Sequence, residues 1–236
     1  PNQQPKRLRI GYFSTDFQQH PVSCLMAKVI EMHDRKYFEV YGYSLGKAND
    51  DELRRRLKVG FDVFTDVQTL SDKKIALLAR KHKIDIAVDL TGYTRNGRPG
   101  IFAFRAAPIQ VNYLGYPGTM GANFIDYIIA DQNLIPETSQ KYYSEKIIYM
   151  PHTYQANDDK RKIAKTNSKR VDFNLPEKGF VFCCFNQIYK ISPKEFNIWM
   201  RLLRNVNNSV LWLIKSNKLV EHNFSKEAKR QGIDPL

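Results

Sequence analysis

The sequence predicts an α/β fold of the doubly wound kind, a parallel sheet with helices on both faces. Three observations carry that expectation. Short apolar runs alternate along the chain with amphipathic stretches of about ten residues. The run at 84–90 is apolar almost throughout, as a strand buried on both faces must be. The helical stretches stand between successive strands, as the crossover connections of a parallel sheet covered on both faces require.

The elements follow in order. Residues 8–13 read as a strand, 21–33 as a helix, 38–45 as a second strand, and 51–58 as helical. A short strand at 63–67 precedes a helix at 71–82, whose first turn Ser71 can cap with its hydroxyl. Strands at 84–90, 109–114, 125–130 and 146–149 complete this set. From 155 to 169 the chain is polar and charged without apolar periodicity, which predicts a linker. The expected organisation is therefore a first lobe over 1–154, a linker over 155–169 and a second unit over 170–236. In that unit 180–185 and 209–215 read as strands, 193–203 as a helix opened by Ser192-Pro193, and 219–231 as a second helix. Two strands do not finish a doubly wound sheet, so the sequence is expected to be a truncated piece of a larger protein.

Composition narrows the function classes. At 236 residues and 42% hydrophobic, the chain can bury one large core or two small ones. No apolar run approaches the ~18–20 residues that span a bilayer, and residues 1–9 lead into no signal-peptide stretch, so a cytoplasmic protein without a membrane partner is expected. Cys24, Cys183 and Cys184 have no CxxC spacing, and the adjacent pair should point to opposite faces of a strand; neither a metal site nor a disulfide framework is expected. A net charge of +13 raises the question of nucleic acid. Yet the basic residues are dispersed, and clusters at 54–56, 73–74, 80–83 and 160–162 read as solvated helix faces or linker, which disfavours a nucleic-acid partner. The same charge suits an anionic nucleotide.

The loops after strands hold the candidate site. One carries Asp16 and His20, another Tyr93 and Thr94, another the run Leu114-Gly115-Tyr116-Pro117-Gly118-Thr119, and another Gln187, Tyr189 and Lys190. Each also has a plain structural reading: His20 before Pro21 as a helix start, Asp16 as an acceptor in a turn, Tyr93 and Thr94 as turn residues, Lys190 as a surface lysine. At 114–119 two glycines and a proline stop the strand and bare the backbone, which makes either a turn or a seat that a ligand can approach closely. The turn through Ser14-Thr15-Asp16 lacks the glycines of a dinucleotide fingerprint, and no P-loop occurs, which disfavours a Rossmann oxidoreductase.

Taken together, Arg9-Ile10-Gly11-Tyr12-Phe13-Ser14-Thr15-Asp16-Phe17 with His20-Pro21, Leu90-Thr91-Gly92-Tyr93-Thr94, Arg105-Ala106-Ala107-Pro108-Ile109-Gln110, Leu114-Gly115-Tyr116-Pro117-Gly118-Thr119, Asp126-Tyr127-Ile128-Ile129-Ala130-Asp131, Tyr143-Ser144-Glu145-Lys146 with Met150-Pro151-His152, and Phe185-Asn186-Gln187-Ile188-Tyr189-Lys190-Ile191 stand in a characteristic order. In this the chain resembles the catalytic region of the O-linked N-acetylglucosamine (O-GlcNAc) transferases, bacterial members above all, from about Arg7 onward. The resemblance implies a GT-B glycosyltransferase with a complete N-terminal Rossmann-like lobe on the acceptor side and the beginning of a C-terminal nucleotide-sugar lobe. It implies transfer of N-acetylglucosamine from UDP-GlcNAc to protein Ser or Thr hydroxyls with inversion, and no metal or other cofactor. By residue, it implies that His20 lies beside the transferred sugar and acceptor, with Asp16 as a proton relay. Tyr93 and Thr94 lie near the same pocket, and Leu114, Gly115, Tyr116 and Pro117 contact the donor sugar. Gln187, Tyr189 and Lys190 belong to the donor site, Lys190 facing the diphosphate.

Those roles suit the residue types. Departure of a nucleoside diphosphate develops negative charge that an ammonium can stabilise, so Lys190 is the first candidate for catalysis. His20 is a contact and possible relay for the hydroxyl proton. Against the family pattern, Cys24 stands where animal members carry a second His, and the domain that they insert between the lobes is reduced to the polar stretch after His152. The family's upstream tetratricopeptide repeats and its downstream nucleotide-gripping segment lie outside 1–236, so this piece is expected to be incomplete as an enzyme, with both regions as partners in the full-length protein. Two alternatives remain open: a Spindly-type O-fucosyltransferase using GDP-fucose, and a non-catalytic basic binding module.

Overall fold

Strand β1 (Leu8–Ser14) sends Tyr12 and Phe13 to opposite sides of the sheet, and that alternation sets the layers of the molecule. The computed structural model describes residues 7–47, 49–161, 163 and 165–235; Lys162 of the basic cluster, residues 1–6 and Leu236 lie outside the described residues. The first unit continues through α1 (Pro21–Met32), β2 (Phe38–Ser44), α2 (Glu52–Gly60), β3 (Val63–Asp66), α3 (Asp72–Lys81), β4 (Ile86–Asp89), α4 (Gly100–Ala103), β5 (Ile109–Asn112), β6 (Tyr127–Ala130) and β7 (Lys146–Tyr149). The seven strands form one parallel sheet in the order β3-β2-β1-β4-β5-β6-β7. The chain first winds outward from β1 to β3 and then restarts on the other side at β4, which places the switch point between β1 and β4.

One face of the sheet buries Phe13, Tyr43, Ile75, Ile101 and Phe102; the other buries Tyr12, Phe17, Met26, Ile30 and Leu57. Full burial of such side chains is worth ~1.5–3 kcal/mol each, so the two layers hold the sheet between them. Ser71 caps α3 as expected, accepting from the Lys74 amide. Helix α4 had no counterpart in the sequence reading, because four residues are too few to show a helical period.

Two arginines of the basic clusters are not on solvated faces. Arg54 is buried, donates to the Phe17 carbonyl at 3.0 Å and the Ser44 hydroxyl at 3.1 Å, and pairs with Asp66. Arg56 binds Glu31 at 2.7 Å and Asp158 at 2.5 Å. A guanidinium has five donors in a fixed fork and can bridge several chain segments, which is why these residues turn inward. The start of the polar stretch is held the same way: Asp158 on Arg56, Asp159 on Lys28, Lys160 on Glu31 at 2.9 Å, with Ala156 packed on the Tyr12 side.

The chain divides into two compact units after Lys162. The second contains β8 (Phe180–Cys184), α5 (Pro193–Asn205), β9 (Ser209–Leu213) and α6 (Lys218–Arg230), with β8 and β9 paired in parallel. Its core is small: Phe196, Met200 and Ala228, with Phe196 stacked on Phe224 at 5.3 Å. Ser192 and Glu195 form a capping box on α5, where the Ser-Pro signal places the helix start. An open cavity of about 990 Å³ lies against β9, α5 and α6; Met200, Leu211 and Phe224 in its lining identify it as the uncovered side of this unit's own core.

Candidate active site

At the end of β1 the chain turns through Asp16, whose amide donates to the Ser14 hydroxyl at 3.0 Å and whose carbonyl accepts from the Ser23 hydroxyl at 2.5 Å. His20 is extended at φ −146° and caps α1: its Nδ1 accepts from the Val22 amide at 3.3 Å, with Pro21 at the first helical position. The same Nδ1 lies 3.7 Å from Asp16 Oδ2. So His20 is the helix start that its plain reading gives, and it also stands beside Asp16. The cap also fixes the chemistry of the ring. With Nδ1 accepting, a neutral imidazole carries its proton on Nε2, so Nε2 is a donor and a proton can be taken up only at Nδ1, beside Asp16.

At the end of β4, Asp89 Oδ1 accepts from the Thr91 amide at 2.9 Å and the Gly92 amide at 3.0 Å. The Thr94 hydroxyl closes this turn on the Thr91 carbonyl at 2.8 Å, and Tyr93 is left half exposed at its tip. Gly92 sits at φ +56°, a conformation that favours glycine, and a Cβ there would strike Tyr116. The Tyr93 and Tyr116 rings meet edge to face at 5.7 Å.

At the end of β5, Asn112 Nδ2 donates to the Tyr116 carbonyl at 2.9 Å and the Gly118 carbonyl at 3.3 Å. The far side of the loop is clamped by Glu145, which accepts from the Thr119 hydroxyl at 2.7 Å and the Met120 amide at 2.6 Å, and by the Tyr143 hydroxyl on the Pro117 carbonyl at 3.1 Å. Gly115 presses on the Leu90 carbonyl so closely that a Cβ would enter it. Leu114 adopts φ +67°, which costs a leucine ~1–2 kcal/mol and marks a backbone held in place by its surroundings. The Thr15 amide donates to Thr91 Oγ1 at 3.2 Å and joins the first loop to the second. The loops after β1, β4 and β5, neighbours in the sheet, thus form one continuous rim at the switch point.

In the second unit Ile188–Lys190 make a single 3-10 turn after β8, closed by the Lys190 amide on the Gln187 carbonyl at 2.9 Å. Gln187, Tyr189 and Lys190 are exposed, and Lys190 makes no ion pair among the described residues. Among the described residues no group of three His, Cys, Asp or Glu side chains is arranged to hold a metal ion. Sequence reasoning passed over Asp89, Asn112 and Glu145, all buried. For Asp89 and Asn112 the signal was present: a carboxylate or amide at the end of a buried strand is costly unless it has a task, whereas Glu145 stands just before a strand and offers no such mark.

The chain matches the model of glycosyl transferase family 41 over residues 1–172 and 161–236. It is 44% identical, over 98% of its length, to the Arabidopsis thaliana protein named "Probable UDP-N-acetylglucosamine--peptide N-acetylglucosaminyltransferase SEC", and covers 24% of that protein. It is 28% identical, over 99% of its length, to the Caenorhabditis elegans UDP-N-acetylglucosamine–peptide N-acetylglucosaminyltransferase, covering 30% of it. Among solved structures it superposes on an O-GlcNAc transferase mutant of Thermobaculum terrenum with a TM-score of 0.85 and 31% identity, over 97% of this chain and 43% of that one. The chain therefore spans about a quarter to a third of the length of these curated relatives.

Proposed function

The chain belongs to glycosyl transferase family 41 and has the α/β architecture of the GT-B glycosyltransferases, and from that premise we propose that it forms part of a protein O-GlcNAc transferase. The donor in this reading is UDP-GlcNAc and the acceptor a Ser or Thr hydroxyl of a protein. The observation that carries it is the rim at the switch point, where the Asp16–His20 pair at 3.7 Å, the Tyr93 turn and the Leu114–Tyr116 backbone occupy three adjacent strand ends.

The reaction forms a bond from the acceptor oxygen to the anomeric carbon of the sugar, breaks the bond from that carbon to the β-phosphate oxygen, and releases UDP and the hydroxyl proton. Attack opposite the leaving group inverts the anomeric centre. His20 donates from Nε2 to the sugar, and the hydroxyl proton released by the acceptor is taken up on the side of the Asp16 carboxylate, which stands 3.7 Å from the ring. The tightly braced loop at 114–117 offers bare backbone and the Tyr116 ring to the sugar. Gln187 and Tyr189 bind the donor, and Lys190 neutralises the charge that develops on the departing diphosphate, so that no metal is needed for that step.

The test is a transfer assay on the natural polypeptide that carries this chain, with UDP-GlcNAc and GDP-fucose as competing donors. UDP-GlcNAc is the expected donor, and Lys190→Ala should lower kcat on the order of 10²–10³-fold. Preference for GDP-fucose would overturn the donor, and undiminished transfer by Lys190→Ala would overturn the role of the lysine.

A further inference from the structure

Three buried side-chain oxygens have no hydrogen-bond partner among the described residues: Thr15 Oγ1, Asp89 Oδ2 and Asn112 Oδ1. They stand at the carboxyl ends of β1, β4 and β5, the same three strand ends that make the rim. Asp89 and Asn112 are directly paired in the parallel register of β4 and β5, so their side chains leave the sheet on the same face. Each is committed on one side only. Asp89 Oδ1 holds the Thr91 and Gly92 amides, and Asn112 Nδ2 holds the Tyr116 and Gly118 carbonyls, which fixes the orientation of its amide. What remains is two acceptor oxygens on the same face of adjacent strands, with the Thr15 hydroxyl, also without a partner, at the neighbouring strand end; each unsatisfied group of this kind costs ~1–3 kcal/mol. A single proton resolves both.

We propose that Asp89 is a positioning residue that carries a proton on Oδ2 and donates it to Asn112 Oδ1, so that one buried hydrogen bond locks the Thr91–Thr94 turn to the Leu114–Thr119 loop. Burial opposes ionisation of this carboxyl and holds it above the usual aspartate range, against the smaller contrary pull of the Gly92 and Thr91 amides. No side-chain charge from β1, β5 or the neighbouring loops is among the influences on it. Thr15, Thr91 and Asn112 stand at the adjoining strand ends, and none of the three has an ionisable side chain. The functional weight of this bond rests on the reading of the two loops as the donor seat, whereas the proton itself does not, and the test separates the two.

Isotope-edited infrared spectroscopy of the full chain labelled at the aspartate carboxyl carbon reads the proton directly. A neutral carboxylic C=O band at pH 7 that disappears in Asp89→Asn and shifts in Asn112→Ser is the expected result. A spectrum of carboxylates alone overturns the proposal and leaves a trapped water as the donor to both oxygens. Stability supplies the second arm. A folded-state carboxyl held above its unfolded value of about 3.9 stabilises the wild type fully below that pH and loses the benefit as pH rises toward the folded value. Asp89→Asn keeps the donor at every pH, so its stability relative to wild type should grow from about pH 4 to about pH 7. A constant deficit across that range overturns the proposal. In the transfer assay Asp89→Asn should keep wild-type KM for the nucleotide sugar while Asp89→Ala raises it about tenfold. Equal loss in both variants overturns the positioning role without touching the assignment of the enzyme.

Discussion

At the scale of single residues, the rim is decided by atoms for which there is no spare room. Gly115 is the clearest case: it is not needed for a left-handed turn but for its missing Cβ, because the Leu90 carbonyl occupies that space. Gly115→Ala should destabilise the first unit by about 1–3 kcal/mol and weaken nucleotide-sugar binding, read by chemical denaturation and calorimetry. Gly121, at φ +58° with open space around it, has a purely conformational need, so two glycines within one loop region serve different ends. The sequence marked Gly115 and Gly118 as baring the backbone, and packing shows what the space at Gly115 is for.

At the scale of the element, α1 begins at a residue that is also chemistry. His20 caps the helix through Nδ1, and the cap and the proposed contact are separable because asparagine is a good N-cap without an imidazole. His20→Asn should leave thermal stability within about 0.5 kcal/mol of wild type while transfer falls steeply; His20→Ala should lose about 1 kcal/mol as well. Equal stability losses in the two variants would mean that the ring does more than cap. The edges of strands are shaped by similar double duty. Strand β4 was expected over 84–90 and pairs over Ile86–Asp89, since Asp85 turns its carboxylate to the Arg9 amide at 2.8 Å and Leu90 already belongs to the rim. Boundaries of this kind follow from partners remote in sequence, which a local apolar pattern does not contain.

At the scale of the whole molecule, the two units have unequal means of support. The first encloses a seven-stranded sheet between two core layers, whereas the second rests on a two-stranded sheet and the small Phe196–Met200–Ala228 core. Amide hydrogen exchange should accordingly be slowest in β1, β2 and β4 and faster by at least about tenfold in β8 and β9, measured on the natural polypeptide. Protection in β8 equal to that in β1 would show that the second unit draws support from outside its described core. The alternation of apolar runs with helical periods determined the doubly wound sheet, the placing of nearly every strand and helix, and the strand-end loops where Asp16, His20, Tyr93 and Leu114 stand, because each is a local property of side-chain spacing and turn chemistry. Tertiary structure alone decided that Arg54 is buried, that His20 both caps and pairs, and that Asp89 meets Asn112 across two strands more than twenty residues apart in the chain. Those facts depend on parallel register and on which strands become neighbours, and register is settled by the packing of the whole sheet rather than by any window of sequence.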